Sequence, residues 1–117
     1  MSEEKIKELI ETIKKEPKNL DNYRALADLF IDRKDFQSAF NVYQEILKTD
    51  ENDIQALLNS GSIMFYAKKF KESTAFYLKG LEIEPENGLL HYNLGNVYAE
   101  INNFEDALKE YKKAVSF

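Results

Sequence analysis

Apolar residues open the chain at Ile6, Leu9, Ile10 and Ile13, the i, i+3, i+4, i+7 spacing that lines one face of a helix. Ser2 is expected to cap this helix, with Glu3 and Glu4 in its first turn. It should run over 2–15 and stop at Lys14-Lys15, because Pro17 pushes Glu16 out of the helical region. From there one period governs the pattern. Phenylalanine stands at Phe36, Phe70 and Phe104, a small residue at Ala39, Ser73 and Ala107, tyrosine at Tyr43, Tyr77 and Tyr111, and an aliphatic at Leu47, Leu81 and Val115, every series stepping by 34. Capping residues repeat in the same register as Asn19, Asp53 and Asn87, each ahead of a helical segment. The first of these segments offers Tyr23, Leu26, Ala27 and Phe30 to a core, the second Leu57, Gly61 and Met64, and the third Leu94, Gly95 and Tyr98. Short polar turns follow at Arg33 to Asp35, Lys68-Lys69 and Asn102-Asn103, and turns this short make antiparallel neighbours. No segment alternates as a strand would. The pattern predicts seven helices, one leading helix and three antiparallel pairs.

A small residue recurs inside the first helix of each pair, as Ala27, Gly61 and Gly95. Glycine within a helix costs ~1 kcal/mol against alanine, so its use there implies a neighbouring helix too close for a larger side chain. Bulky replacements at Gly61 or Gly95 should strain the packing by roughly 1 to 3 kcal/mol. Self-similarity at a fixed period of this length is the mark of stacked repeats.

With 117 residues, 44% of them apolar, the chain is expected to form one domain with a real core and no linker. It has no cysteine, which removes disulfides, thiolate metal sites and cysteine nucleophiles together. The start, Met-Ser-Glu-Glu-Lys, is acidic where a targeting peptide needs a basic region, and no apolar run approaches the ~18 residues of a membrane span. The expected place is the cytoplasm. A net charge of -5 argues against a nucleic-acid partner, which needs clustered Lys and Arg. The pairs Lys14-Lys15, Lys68-Lys69 and Lys112-Lys113 are read instead as cations near helix C-terminal ends, complementing the macrodipole. His91 is the only histidine. Neither paired histidines, nor an EF-hand loop, nor a glycine-rich phosphate loop occurs, so no enzyme activity, cofactor or metal is expected.

In its third unit the chain has His91, Leu94, Gly95, Tyr98, Ala107, Tyr111 and Ala114. The second offers Leu57, Gly61, Tyr77, Gly80 and Pro85, and the first Tyr23, Leu26, Ala27, Phe30, Ala39 and Tyr43. This set resembles the tetratricopeptide repeat family, whose unit is 34 residues long. Departures are of size: Ser60, Met64, Ser73 and Ile46 stand where the family prefers leucine, tyrosine, alanine and a small residue. The resemblance implies an all-α, right-handed α-solenoid of antiparallel helix pairs. Its units would span 20–53, 54–87 and 88–117, the last stopping two positions short of the closing proline. Residues 2–15 would form an N-terminal capping helix, and 1–117 a single domain.

The resemblance also implies a non-enzymatic scaffold whose first helices line a concave groove for an extended or helical peptide segment. The family's groove positions fall on Asp21, Arg24, Asp28 and Asp32 in the first unit, on Gln55, Leu58, Asn59, Ser62, Phe65 and Tyr66 in the second, and on Leu89, Tyr92, Asn93, Asn96 and Glu100 in the third. Asn59 and Asn93 are the foremost candidates, since an asparagine offers donors and an acceptor to any peptide backbone. The chaperone-binding members clamp a carboxylate, but those places here read Arg24, Asp28, Asn59, Leu89 and Asn93, and Asp28 would repel it. Acid outnumbers base on the groove list, so a neutral to basic protein segment is the expected partner. An alternative is a self-associating module, a homo-oligomer using Leu108, Val115 and Phe117 on an uncapped helix face.

Overall fold

The computed structural model describes residues 2–117. Seven helices follow one another: α1 (Ser2–Lys15), α2 (Leu20–Asp32), α3 (Phe36–Thr49), α4 (Ile54–Tyr66), α5 (Phe70–Ile83), α6 (Gly88–Glu100) and α7 (Phe104–Ser116). The described residues include no strand, and none of these helices is long and apolar enough to cross a membrane. The repeating phenylalanine opens α3, α5 and α7, as its register predicts. Ser2 differs from its expected role: α1 takes it in as first residue, so the cap position falls outside the described residues.

The backbone gathers into two compact units, one ending at Ala56 and the other running Leu57–Phe117. In the first, α2 packs on α3 and on α1. Leu26, Ala27, Ala39, Val42, Tyr43 and Ile46 are buried there, while α1 buries Ile6 alone. In the second unit Leu57, Met64, Tyr77, Leu90, Leu94 and Val97 are buried.

The glycine positions explain how closely the second unit's helices approach. A Cβ on Gly61 would stand 2.5 Å from Cε1 of Tyr77, and one on Gly95 2.7 Å from Cε1 of Tyr111. The repeating tyrosine ring therefore lies flush on the repeating glycine, and a larger residue would have to displace it. Ser73, where the other pairs have alanine, uses its extra oxygen: the hydroxyl donates to the Gly61 carbonyl at 2.8 Å, satisfying a group that is fully buried.

Each first helix ends in the same turn. Lys34, Lys68 and Asn102 take positive φ of 59°, 62° and 65°, and the amides around Lys68 bond back to Phe65 and Met64 at 2.9 and 2.8 Å. This is a left-handed helix stop with paired closing bonds. Lys69 then becomes the N-cap of α5, and its side chain makes no capping bond. The pair Lys68-Lys69 thus corrects its expected role, because its second member sits at a helix N-terminus, where a cation is unfavourable. Its counterparts Asp35 and Asn103 accept from the amides of Ser38 and Asp106. Lys69→Asp should therefore stabilise the protein by about 1 kcal/mol, read as a higher urea midpoint; an unchanged or lower midpoint would contradict this account of the turn.

Candidate functional site

The first unit holds the expected groove residues Arg24 and Asp28, both on α2. Arg24 turns to Asp53: Nη1 donates to Oδ1 at 3.0 Å, and Nη2 donates to Oδ2. Asp53 Oδ1 also accepts from the Ala56 amide at 2.9 Å, so one buried carboxylate caps α4 and holds the guanidinium. The Arg24 hydrogen bond keeps the Asp53 carboxyl below the usual carboxylate range, against the opposing effect of burial. Arg24 is raised in turn by the same bond. With Arg24 committed, the exposed charges left on α2 are those of Asp21, Asp28 and Asp32.

The second unit holds Asn59, Ser62, Phe65, Tyr66, Tyr92, Asn93 and Asn96. Ser62 on α4 and Asn96 on α6 are equivalent positions one period apart, each just beyond the helix glycine. Ser62 Oγ lies 3.0 Å from the Tyr77 hydroxyl, and the Tyr111 hydroxyl donates to Asn96 Oδ1 at 2.6 Å. The tyrosine thus packs on the glycine with its ring and orients the next residue with its oxygen. Burial holds both tyrosine hydroxyls above their ordinary value, so they stay protonated at neutral pH.

Asn59 and Asn93 are half-buried, and among the described residues neither side chain has a hydrogen-bond partner. Phe65 is also half-buried, edge-on to Phe70 with centroids 5.8 Å apart and to Tyr66 at 5.3 Å, so its ring packs α4 against α5. Tyr66 and Tyr92 stand out into solvent, 82% and 50% exposed. Tyr92 rests beside Tyr111 at 5.8 Å. Among the described residues, these positions on α4 and α6 thus comprise two unengaged amides, two oriented polar groups and two projecting aromatic rings beside the packed Phe65.

His91 is buried in a network of its own. Its Nε2 lies 2.7 Å from the Pro85 carbonyl, which can only accept, so this nitrogen donates. Its Nδ1 lies 2.8 Å from Glu110 Oε1, and Lys113 reaches the other oxygen at 3.4 Å. Both ring nitrogens are engaged, so the histidine ties α6 to α7 and offers no free base. Among the described residues no three His, Asp or Glu side chains gather as they would around a metal ion. Phe117 completes this cluster, its ring 5.6 Å from that of His91. Leu108 and Val115 point elsewhere and remain 54% and 87% exposed.

Sequence reasoning missed two features. The tyrosine hydroxyls carry a periodic signal, since a polar residue precedes Tyr77 and Tyr111 by the same interval, 15 positions. The Arg24–Asp53 pair carries none: Leu58 and Tyr92 stand at the arginine's place in the other units.

Comparison with known proteins agrees with this architecture. The tetratricopeptide repeat family model matches residues 76–109. The Hsp70-Hsp90 organising protein of Plasmodium falciparum is 31% identical over 93 residues, 80% of this chain and 15% of that protein. The human protein O-mannosyl-transferase TMTC3 is 24% identical over 82 residues, 70% of this chain and 9% of that protein. The chain thus spans less than a fifth of either relative's length. Among solved structures, MamA 41-end from Desulfovibrio magneticus superposes with a TM-score of 0.86 at 22% identity, covering 98% of this chain and 65% of the other; this likeness shows the fold, an all-α helical solenoid. The 34-residue register, the glycine–tyrosine contacts and the matching family model together make this chain a tetratricopeptide repeat protein.

Proposed function

We propose that the chain is a non-enzymatic scaffold for protein–protein interaction that holds an extended or helical segment of a partner against its first helices. The observation that carries this reading is the pair Asn59 and Asn93, equivalent in the repeat, partly open and, among the described residues, without hydrogen-bond partners. Amides left free at one repeat spacing suit a ligand backbone, which offers donors and acceptors whatever its sequence. Tyr66 and Tyr92 supply aromatic area beside them, as anchors at interfaces commonly do. The acids left on α2 favour a neutral to basic segment. One relative's name refers to Hsp70 and Hsp90, yet Asp28 and Leu89 at the clamp positions suit a terminal carboxylate poorly. The transferase named above matches over 9% of its own length, and no catalytic role is carried over from it. The cytoplasm is the proposed setting.

A pull-down comparing wild type with Asn59→Ala/Asn93→Ala tests this. The double variant should lose at least one partner with unchanged helicity, and an affinity drop of about tenfold corresponds to 1.4 kcal/mol. An unchanged partner list would remove the amides from the site. A binding peptide should also tighten when lysine replaces an acid, and weaken with salt.

Exposure of Leu108 and Val115 on α7 favours a second reading, self-association through that helix. Phe117 contributes less to it, because its ring is turned to His91.

A further inference from the structure

Helices α1 and α7 lie three periods apart and share an acidic first turn and part of an apolar stripe, with Lys112 at the place of Ile10. Glu3 aligns with Glu105, Glu4 with Asp106, Ile6 with Leu108, Glu8 with Glu110, Leu9 with Tyr111 and Ile13 with Val115. Their surroundings differ. In the first unit α1 packs on α2, where Ile6 is only 7% exposed and Glu3 reaches Arg33, at the end of α2, at 3.9 Å. In the second unit the matching stripe on α7, with Leu108 and Val115, stays open to solvent, as does Phe104.

The chain itself shows how such a stripe is covered. Helix α5, one period before α7, packs on α6, and Leu90 of α6 fits so closely over Gly80 that an added Cβ would meet its Cδ1 at 2.8 Å. Helix α2 is the counterpart of α6, two periods earlier. It receives α1 as α6 receives α5, so the surface under α1 is shaped for a helix of α7's register.

We propose that α7 of one copy docks on α2 of a second copy, in the place that α1 holds within that copy. Helix α1 is then an intramolecular cover over the acceptor surface. This rests on the self-association reading and goes beyond it by naming the acceptor and the element that competes for it. Charge is complementary, since Glu105 would meet Arg33 as Glu3 does now. The cover also leaves one polar group of α2 unsatisfied. The Nδ2 of Asn22, at the place Leu90 holds on α6, is buried without a hydrogen-bond partner among the described residues. A contact between two different surfaces leaves a free α7 on one partner and a free α2 on the other, so copies add in rows unless the rotation closes them into a ring.

The absence of cysteine allows single reporters. A Glu105→Cys chain is mixed with an Arg33→Cys chain and treated with a short thiol-to-thiol cross-linker. The mixed product should exceed either self-product by about tenfold. It should rise further when Ile6→Ala/Leu9→Ala loosens α1, and fall by about tenfold with Leu108→Asp, whose exposed site leaves the fold intact. Light scattering should show masses of two chains or more. Self-linking of Glu105→Cys chains in place of the mixed product overturns the docking on α2 while self-association stands. A single-chain mass at high concentration with no cross-linking overturns both. If the α1 variant unfolds by circular dichroism, the mixed product in the otherwise unaltered chain, and its response to Leu108→Asp, decide the matter alone.

Discussion

Tyr77→Ala is expected to destabilise the protein by about 3–5 kcal/mol, a large share of the ~5–15 kcal/mol that holds a small domain together. Tyr77 is 2% exposed. Its ring lies against Gly61, closer than a Cβ there would permit, so on that side there is no side chain to fill the vacated space. The hydroxyl adds a smaller contribution through Ser62. Tyr77→Phe, which keeps the ring and removes only that bond, should cost about 0.5–1.5 kcal/mol. Tyr111→Ala should fall between, because that ring has the same glycine partner but is only half-buried. Urea unfolding followed by far-ultraviolet circular dichroism gives all three midpoints. A Tyr77→Ala chain within about 1 kcal/mol of wild type would show that the ring–glycine contact is not what holds α4 to α5.

Arg24→Ala should cost about 1–3 kcal/mol at neutral pH and blunt the protein's sensitivity to acid. The variant leaves the Asp53 carboxylate buried with only the Ala56 amide as partner. The Arg24 bond lowers the Asp53 pKa in the folded chain, while in the unfolded chain it returns to about 3.9. A carboxyl depressed by folding contributes stability that is fully present above its unfolded value and is lost as pH falls through its folded value. Wild type should therefore lose stability as the pH drops below about 4, and Arg24→Ala should lose less of it, having little left to give up. Urea midpoints for both chains at pH 7 and pH 3 check the sign. Parallel losses in the two chains would place the acid sensitivity elsewhere.

Much of the architecture was legible because the repeat states each element several times. Phe36, Phe70 and Phe104 mark three helix starts, and Asn19, Asp53 and Asn87 three caps, so one ambiguous residue could not shift a boundary. Where a residue departs from its counterparts, the register lost its voice. Lys69 stands where Asp35 and Asn103 cap, and its reading as a C-terminal cation failed because the period locates a position without saying what its side chain does there. Arg24 is similar. It was set on the binding face by its place in the unit, yet its charge is held by Asp53, 29 residues away, through a pairing that the other units do not repeat.

By itself the amino-acid sequence determined that this protein is a stack of helix pairs. Apolar spacing and capping chemistry act within a few residues, and the 34-residue period restates them. Only the tertiary structure decided which polar side chains remain available to a partner. Arg24, Ser62 and Asn96 are engaged by Asp53, Tyr77 and Tyr111, while Asn59 and Asn93 have no such partner among the described residues. The physical reason is one of reach. A side chain's propensity is local, but whether its hydrogen bonds are already satisfied depends on groups that folding brings from 15 or 29 positions away.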